Sequence, residues 1–393
     1  MATPSSPPAV AAAAAAPTQA LSTAAIITAM VNFAKGVSDL ILSPGRPPQV
    51  ELNSKLTPVP IQGQGILKPE DTARIAGDLI GPNKIALQQL KDDGSADLSY
   101  SVPGIARFRV NIFRQRGTYA IVMRVIPQKI PTFDDLHLPP ILKDCAHLKN
   151  GVVLVTGPTG SGKSSTLAAI IDEINTNHAE HILTIEDPIE FVHQHKAGTI
   201  HQRELHSDTP SFSMALRAAL RQAPKVILVG EMRDKETIEI ALTAAETGHL
   251  VFSTLHTIDA SKTVERIIGV FPMSEQAPIR GRVAATFRFF ISQRLIPKVG
   301  GGRVAAIEIL KSTMRTREYI EKGEEEGKSL LDAMKDGGLE GMQHFDGVIE
   351  NYIREGIIDF ETGMLYASNA GNLRLQLTDF LQDQRDAEAA QTK

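Results

Sequence analysis

The residues with the clearest chemical use are Gly157, Pro158, Thr159, Gly160, Ser161, Gly162, Lys163 and Ser164, which fit the spacing GxxxxGK[ST]. Glycines at these positions let backbone N–H groups turn inward around phosphate oxygens. A helix starting here would add the partial positive charge of its N-terminus. Lys163 is placed to reach the β- and γ-phosphates of a nucleotide, Ser164 to coordinate Mg²⁺, and Ser165 to complete the set in the first helical turn. The implied chemistry is binding, and with a suitable acid hydrolysis, of a nucleoside triphosphate.

Two acidic stretches follow the loop. Val226-Ile227-Leu228-Val229 is an apolar run, Gly230 makes room, and Glu231 stands at the C-terminal end where an α/β sheet meets its ligand. A carboxylate there holds the shell of a Mg²⁺ ion or orients an attacking water. A second cluster, Glu186-Asp187-Pro188-Ile189-Glu190, follows the strand-like run 181–185.

Eight of the 11 histidines lie between His178 and His256. His193, His195, His201 and His206 lack regular ligand spacing and read as surface loop rather than metal site. His249 and His256 bracket the strand-like Leu250–Leu255 and are candidates for the ligand crevice. Arg217 and Arg221 share one helix face. Arg109, Arg116 and Arg124 lie upstream of the loop. They read either as exposed strand arginines or as a finger delivered to the transition-state charge across a domain or subunit interface.

These residues need a scaffold. From 149 to about 310, apolar runs at 152–155, 182–185, 226–229 and 250–252 alternate with helical patterns, the signature of a parallel sheet with crossover helices. Gly151–Thr156 predicts the strand before the loop, and Leu167, Ile170, Ile171 and Ile174 the helix after it. Residues 21–125 predict a small α+β domain: a helix from Leu21 to Ala34, capped by Ser22 or Thr23 and ended by Gly36, then short strands broken by turns. Residues 126–148, with Pro127, Pro131, Pro139 and Pro140, read as a linker. Residues 311–380 read as helical, with a charged stretch Glu321–Lys328, and 381–393 as a tail. Residues 1–20 are Ala- and Pro-rich without charge and read as a disordered leader.

Composition narrows the function classes. The chain has 393 residues, a formal net charge of −4, 5% aromatics and no Trp. That disfavours a nucleic-acid partner, which would call for basic excess and stacking rings. One cysteine, Cys145, excludes an internal disulfide framework and a cysteine-based zinc site. No run is apolar enough to predict a transmembrane segment.

In order and sequence the motifs resemble the secretion ATPases, specifically the PilT-type retraction motors of type IV pili. The likeness covers about 37 to 310: Gly157–Ser164 (Walker A), Leu183–Phe191 (aspartate box), Val229–Asp234 (Walker B), and Ala244–His249 with Leu255–Thr257 (histidine box). It implies a PAS-like N-terminal domain followed by a RecA-like P-loop ATPase domain with a helical C-terminal region. It also implies ATP and Mg²⁺ as ligands, with Lys163 and Ser164 at the phosphates and metal. Glu190 and Glu231 take catalytic, water- or metal-handling roles, His249 and His256 sense nucleotide, and Arg109 and Arg124 act as arginine fingers. The resemblance further implies a homo-hexamer, cytoplasmic and peripheral at the inner membrane, that works on a pilus platform protein, with a paralogous retraction ATPase as a further partner. The runner-up is an extension or type II secretion assembly ATPase. Ala223-Pro224-Lys225 departs from the Asp-Pro-Asp usual in the family, and Thr313–Glu318 departs from its Ala-Ile-Arg-Asn-Leu-Ile-Arg-Glu motif. The stretches Ile130–Leu136 and Asn372–Gln376 look more like the PilU paralogue.

Overall fold

The computed structural model describes residues 21–52, 55–127 and 129–382; the leader expected at 1–20 and the tail from 383 lie outside them. The chain forms two compact units, up to Ile126 and from Pro127 onward.

The first unit is an α+β structure. Helix α1 (Thr23–Val31) is capped by Ser22, whose Oγ accepts the Ala25 N–H at 3.2 Å. Strands β1 (Val37–Leu42), β2 (Gln49–Leu52) and β3 (Lys55–Pro58) precede two helices, α2 (Pro69–Ile80) and α3 (Lys84–Asp92). The expectation of strands alone across 37–125 overlooked this pair. Its start signals are Pro69 in the first turn and Asp71, whose carboxylate accepts the Lys68 N–H at 2.8 Å. Strands β4 (Ser95–Val102), β5 (Ala106–Gln115) and β6 (Thr118–Ile126) complete a six-stranded antiparallel sheet in the order β3-β2-β1-β6-β5-β4. Strand β5 alternates: Phe108, Val110 and Ile112 are buried, whereas Arg109 is exposed.

The second unit carries the phosphate loop. Its strands are β7 (Gly151–Thr156), β8 (His181–Glu186), β9 (Thr199–Glu204), β10 (Val226–Val229), β11 (Leu250–Leu255), β12 (Phe287–Pro297) and β13 (Arg303–Lys311). They lie in the order β13-β12-β7-β11-β10-β8-β9. All neighbours are parallel except the β12–β13 pair. Strands β7, β10 and β11 are buried along their whole length, which is why they read as unbroken apolar runs. The crossovers are α4 (Lys163–Asn177), α5 (Phe212–Ala219), α6 (Lys235–Glu246), and α7 (Ala260–Gly269) with α8 (Met273–Thr286). Helices α9 (Met314–Lys322), α10 (Leu330–Asp336), α11 (Phe345–Arg354), α12 (Phe360–Tyr366) and α13 (Ala370–Gln376) form the C-terminal region.

Three strands escaped the sequence reading. Strand β9 is an edge strand of mixed polarity, β12 follows α8 without an intervening turn signal, and β13 pairs back on β12 after the turn at Gly300–Gly302. The expected linker differs too. A 3-10 helix at Pro140–His147 buries Leu142, Cys145 and Ala146, which join Phe133 and Leu138 in the core against β7 and α4. The apolar side chains between the prolines outweigh the prolines.

Candidate functional site

The loop between β7 and α4 has the backbone a phosphate cradle needs. Gly157, Gly160 and Gly162 all have positive φ, at 142°, 79° and 93°. Gly157 is also required by space: a Cβ there would strike the Gln293 carbonyl oxygen and lie 2.6 Å from Ser161 Oγ. Lys163 opens α4 and is buried, its Nζ donating to the carbonyls of Gly157 at 2.9 Å and Pro158 at 3.1 Å. Burial pushes its ammonium below the usual range, while the Glu231 and Glu190 carboxylates pull it back up. The two acids singled out by sequence therefore act on the same lysine. Ser164 and Ser165 lie half-buried in the first turn of α4.

Glu231 follows β10. A Cβ on Gly230 would approach the Ile185 carbonyl oxygen to 3.2 Å, so glycine lets β10 run close to β8. Ser253 and Thr254 on β11 donate to the carbonyls of Val229 and Gly230, both at 2.7 Å, and fix the strand tip. The Glu231 carboxylate is held from two sides: Arg233 Nη2 lies 2.7 Å from Oε2, and His256 Nε2 3.5 Å from Oε1. Arg233 was not among the expected site residues, although it stands two positions along in the same motif. Asp234 serves structure instead, capping α6 through the Thr237 N–H at 2.9 Å.

The two histidines separate. His256 leaves the C-terminal end of β11, on the phosphate side. His249 precedes the N-terminal end, where its carbonyl accepts the Gly151 N–H and its Nδ1 lies 3.0 Å from the Ala244 carbonyl. Within one chain His249 stands a strand's length from the loop, whereas His256 reaches the Glu231 carboxylate. His193 departs from the surface-loop reading. Its side chain is 3% exposed and 3.9 Å from Asp172, and burial lowers its pKa to about 4. Its neighbour His201 does lie at the surface, 2.9 Å from His181.

Arg109 and Arg124 lie in the first unit on adjacent strands. Arg124 Nε pairs with Asp39 Oδ1 at 3.0 Å.

The loop's own polar atoms fit a phosphate ligand. Ser161 Oγ is buried without a hydrogen-bond partner, and an orphan hydroxyl in a nest of inward-turned N–H groups suits an anionic oxygen. Beneath it, Gln293 Nε2 donates to Thr166 Oγ1 at 2.9 Å, and Thr156 Oγ1 to Ser292 Oγ at 3.1 Å. These buried bonds tie the loop's flanks to β12.

Comparison with known proteins matches the same region. Residues 78–336 fit the family described as type II/IV secretion system protein. The type IV pilus retraction ATPase PilT of Pseudomonas aeruginosa is 44% identical over 337 residues, which are 85% of this chain and 96% of that protein. The type IV pilus ATPase PilU of the same organism is 39% identical, over 87% of this chain and 88% of its own. The crystal structure of the pilus retraction motor PilT with bound ADP superposes with a TM-score of 0.76 at 41% identity, over 85% of this chain and 94% of that one. Among the described residues, no helix is long and apolar enough to cross a membrane. The chain therefore belongs to the type II/IV secretion system protein family, and within it to the pilus-retraction ATPases.

Proposed function

We propose that the chain works as a homo-hexameric motor that hydrolyses ATP to retract a type IV pilus, with Lys163, Glu190 and Glu231 as the centre of the reaction. The observation that carries this reading is the glycine loop itself, with positive φ at Gly157, Gly160 and Gly162, the buried Lys163 Nζ on the Gly157 and Pro158 carbonyls, and the unpartnered Ser161 hydroxyl. Lys163 leaves the loop carbonyls for the β- and γ-phosphate oxygens, and the N–H groups of Gly160–Ser165 and the Ser161 hydroxyl take the rest of the charge. Ser164 and Glu231 would hold Mg²⁺, which would supply charge neutralisation at the phosphates. Glu190 and Glu231 orient the attacking water, and His256 reports the state of Glu231 to the start of α7. Arg109 and Arg124 of a neighbouring subunit meet the γ-phosphate, so that a ring alone completes the site.

Closure and release of that contact turn hydrolysis into domain rotation, passed to a pilus platform protein at the cytoplasmic face of the inner membrane. A paralogous retraction ATPase works beside it. The test is Glu231→Gln in the source organism, with surface pili counted and purified protein assayed for phosphate release. Excess pili that do not retract, with ATP still bound and turnover lost, is the expected result. A bald cell would mean that the motor drives assembly, and wild-type turnover would remove Glu231 from the reaction.

A further inference from the structure

The loop that presents Glu190 is held by the edge strand β9. Two residues of β9, two positions apart and therefore on one face of the strand, make the contacts. Gln202 Nε2 donates to the Phe191 carbonyl at 2.9 Å and to Glu186 Oε1 at 3.1 Å, while its Oε1 accepts the His193 N–H at 2.8 Å. Glu204, 2% exposed, accepts the Ile189 N–H on Oε2 at 3.0 Å.

The backbone is thus fastened immediately before Glu190 and immediately after it, while its side chain stays exposed. A fully buried carboxylate is costly unless it is hydrogen-bonded. Part of the compensation here comes from the loop backbone through Oε2, beside Ser207 Oγ, which donates to Oε1 at 3.4 Å, so the position of the loop and the burial of Glu204 are linked.

We propose that Gln202 and Glu204 are positioning residues for ATP hydrolysis, acting through Glu190 by fixing the backbone of residues 189–191. This rests on the reading of Glu190 as a reacting-site acid. Neither residue touches nucleotide; their effect is confined to where the Glu190 carboxylate stands. Misplacing a catalytic group by about 1 Å costs up to 10²-fold in rate.

The experiment is a double-mutant cycle on the full-length chain, measuring kcat, KM for ATP, ADP affinity and Tm. Gln202→Ala is expected to lower kcat by roughly tenfold or more and leave KM and ADP affinity within about twofold. In a Glu190→Gln background the same substitution is expected to change kcat no further. Glu204→Gln retains an acceptor for the Ile189 N–H and is expected to keep near-normal turnover, whereas Glu204→Ala is expected to behave like Gln202→Ala.

If Glu190→Gln is slow and Gln202→Ala multiplies that loss, the strand acts on stability or binding and the positioning role fails. If Glu190→Gln turns over normally, the reading of Glu190 itself fails. Should Glu204→Ala not fold, the cycle through Gln202 decides alone.

Discussion

Arg109 and Arg124 are direct cross-strand partners in the antiparallel pair β5–β6, and Arg124 is in turn opposite Asp39 on β1. Their side chains share the exposed face of the first sheet. Only Arg124 has the Asp39 carboxylate beside it, at 3.0 Å. Like charges directly opposite one another destabilise a sheet. An arrangement that costs stability and yet concentrates two guanidinium groups on one rung fits a role toward an anion outside the unit.

Arg109→Ala is accordingly expected to leave Tm unchanged or slightly higher while ATP turnover collapses. Mixing Arg109→Ala with Lys163→Ala subunits is expected to restore part of the activity, since one mutant keeps the loop and the other the finger. Differential scanning calorimetry and phosphate release on the pure and mixed proteins check both halves. No recovery at any ratio, with rings intact, would remove the finger from the neighbour's site.

The glycines of the loop are expected to differ in tolerance. At Gly157 an added Cβ meets the Gln293 carbonyl and the Ser161 side chain, whereas at Gly160 nothing lies within 4 Å. Gly157→Ala is expected to abolish nucleotide binding. Gly160→Ala faces only the left-handed φ penalty of roughly 1–2 kcal/mol and is expected to keep measurable affinity. Titration with a fluorescent ADP analogue separates the two.

Glu308 on β13 gives a pH dependence. It is 3% exposed and accepts the Ala260 N–H at the start of α7 at 2.9 Å. Asp259 and Arg294 are the charged groups that face it. Burial pushes its carboxyl up to about 7. A carboxyl with a folded pKa above its unfolded value binds its proton more tightly in the native state, so its contribution to stability falls as pH rises from about 4.5 to about 7. The span is roughly 3 kcal/mol. Glu308→Gln is expected to raise Tm at pH 8 and to have a much smaller advantage at pH 5. An equal change at both pH values would contradict the assignment.

Ala223 sits at φ +52°, in the left-handed region, immediately before Pro224. Alanine is strained there and asparagine, aspartate and glycine less so. Ala223→Asn is expected to stabilise the chain by about 0.5–1 kcal/mol, read as a rise in the denaturant midpoint, with turnover unaffected. This gives a conformational reason why an aspartate suits the corresponding place in the family's Asp-Pro-Asp.

The phosphate loop, the acid at Glu231, four of the parallel strands and the order of the motifs were all readable along the chain. Each of these is a local property: a buried parallel strand must be apolar on both faces, and a phosphate nest needs glycine where φ is positive. What pairing decides was not readable. The polar residues of β9 look like a surface segment until Gln202 and Glu204 are seen holding the loop around Glu190. His249 and His256 look equivalent until the direction of β11 puts them at opposite ends of the sheet. The shared rung of Arg109 and Arg124, and the burial of Glu308 against the start of α7, depend on register between segments distant in sequence. Sequence determined which residues carry the chemistry, because residue type and short spacing suffice for that. Tertiary structure alone decided which of them stand together, because strand order and register are set by packing across the whole sheet.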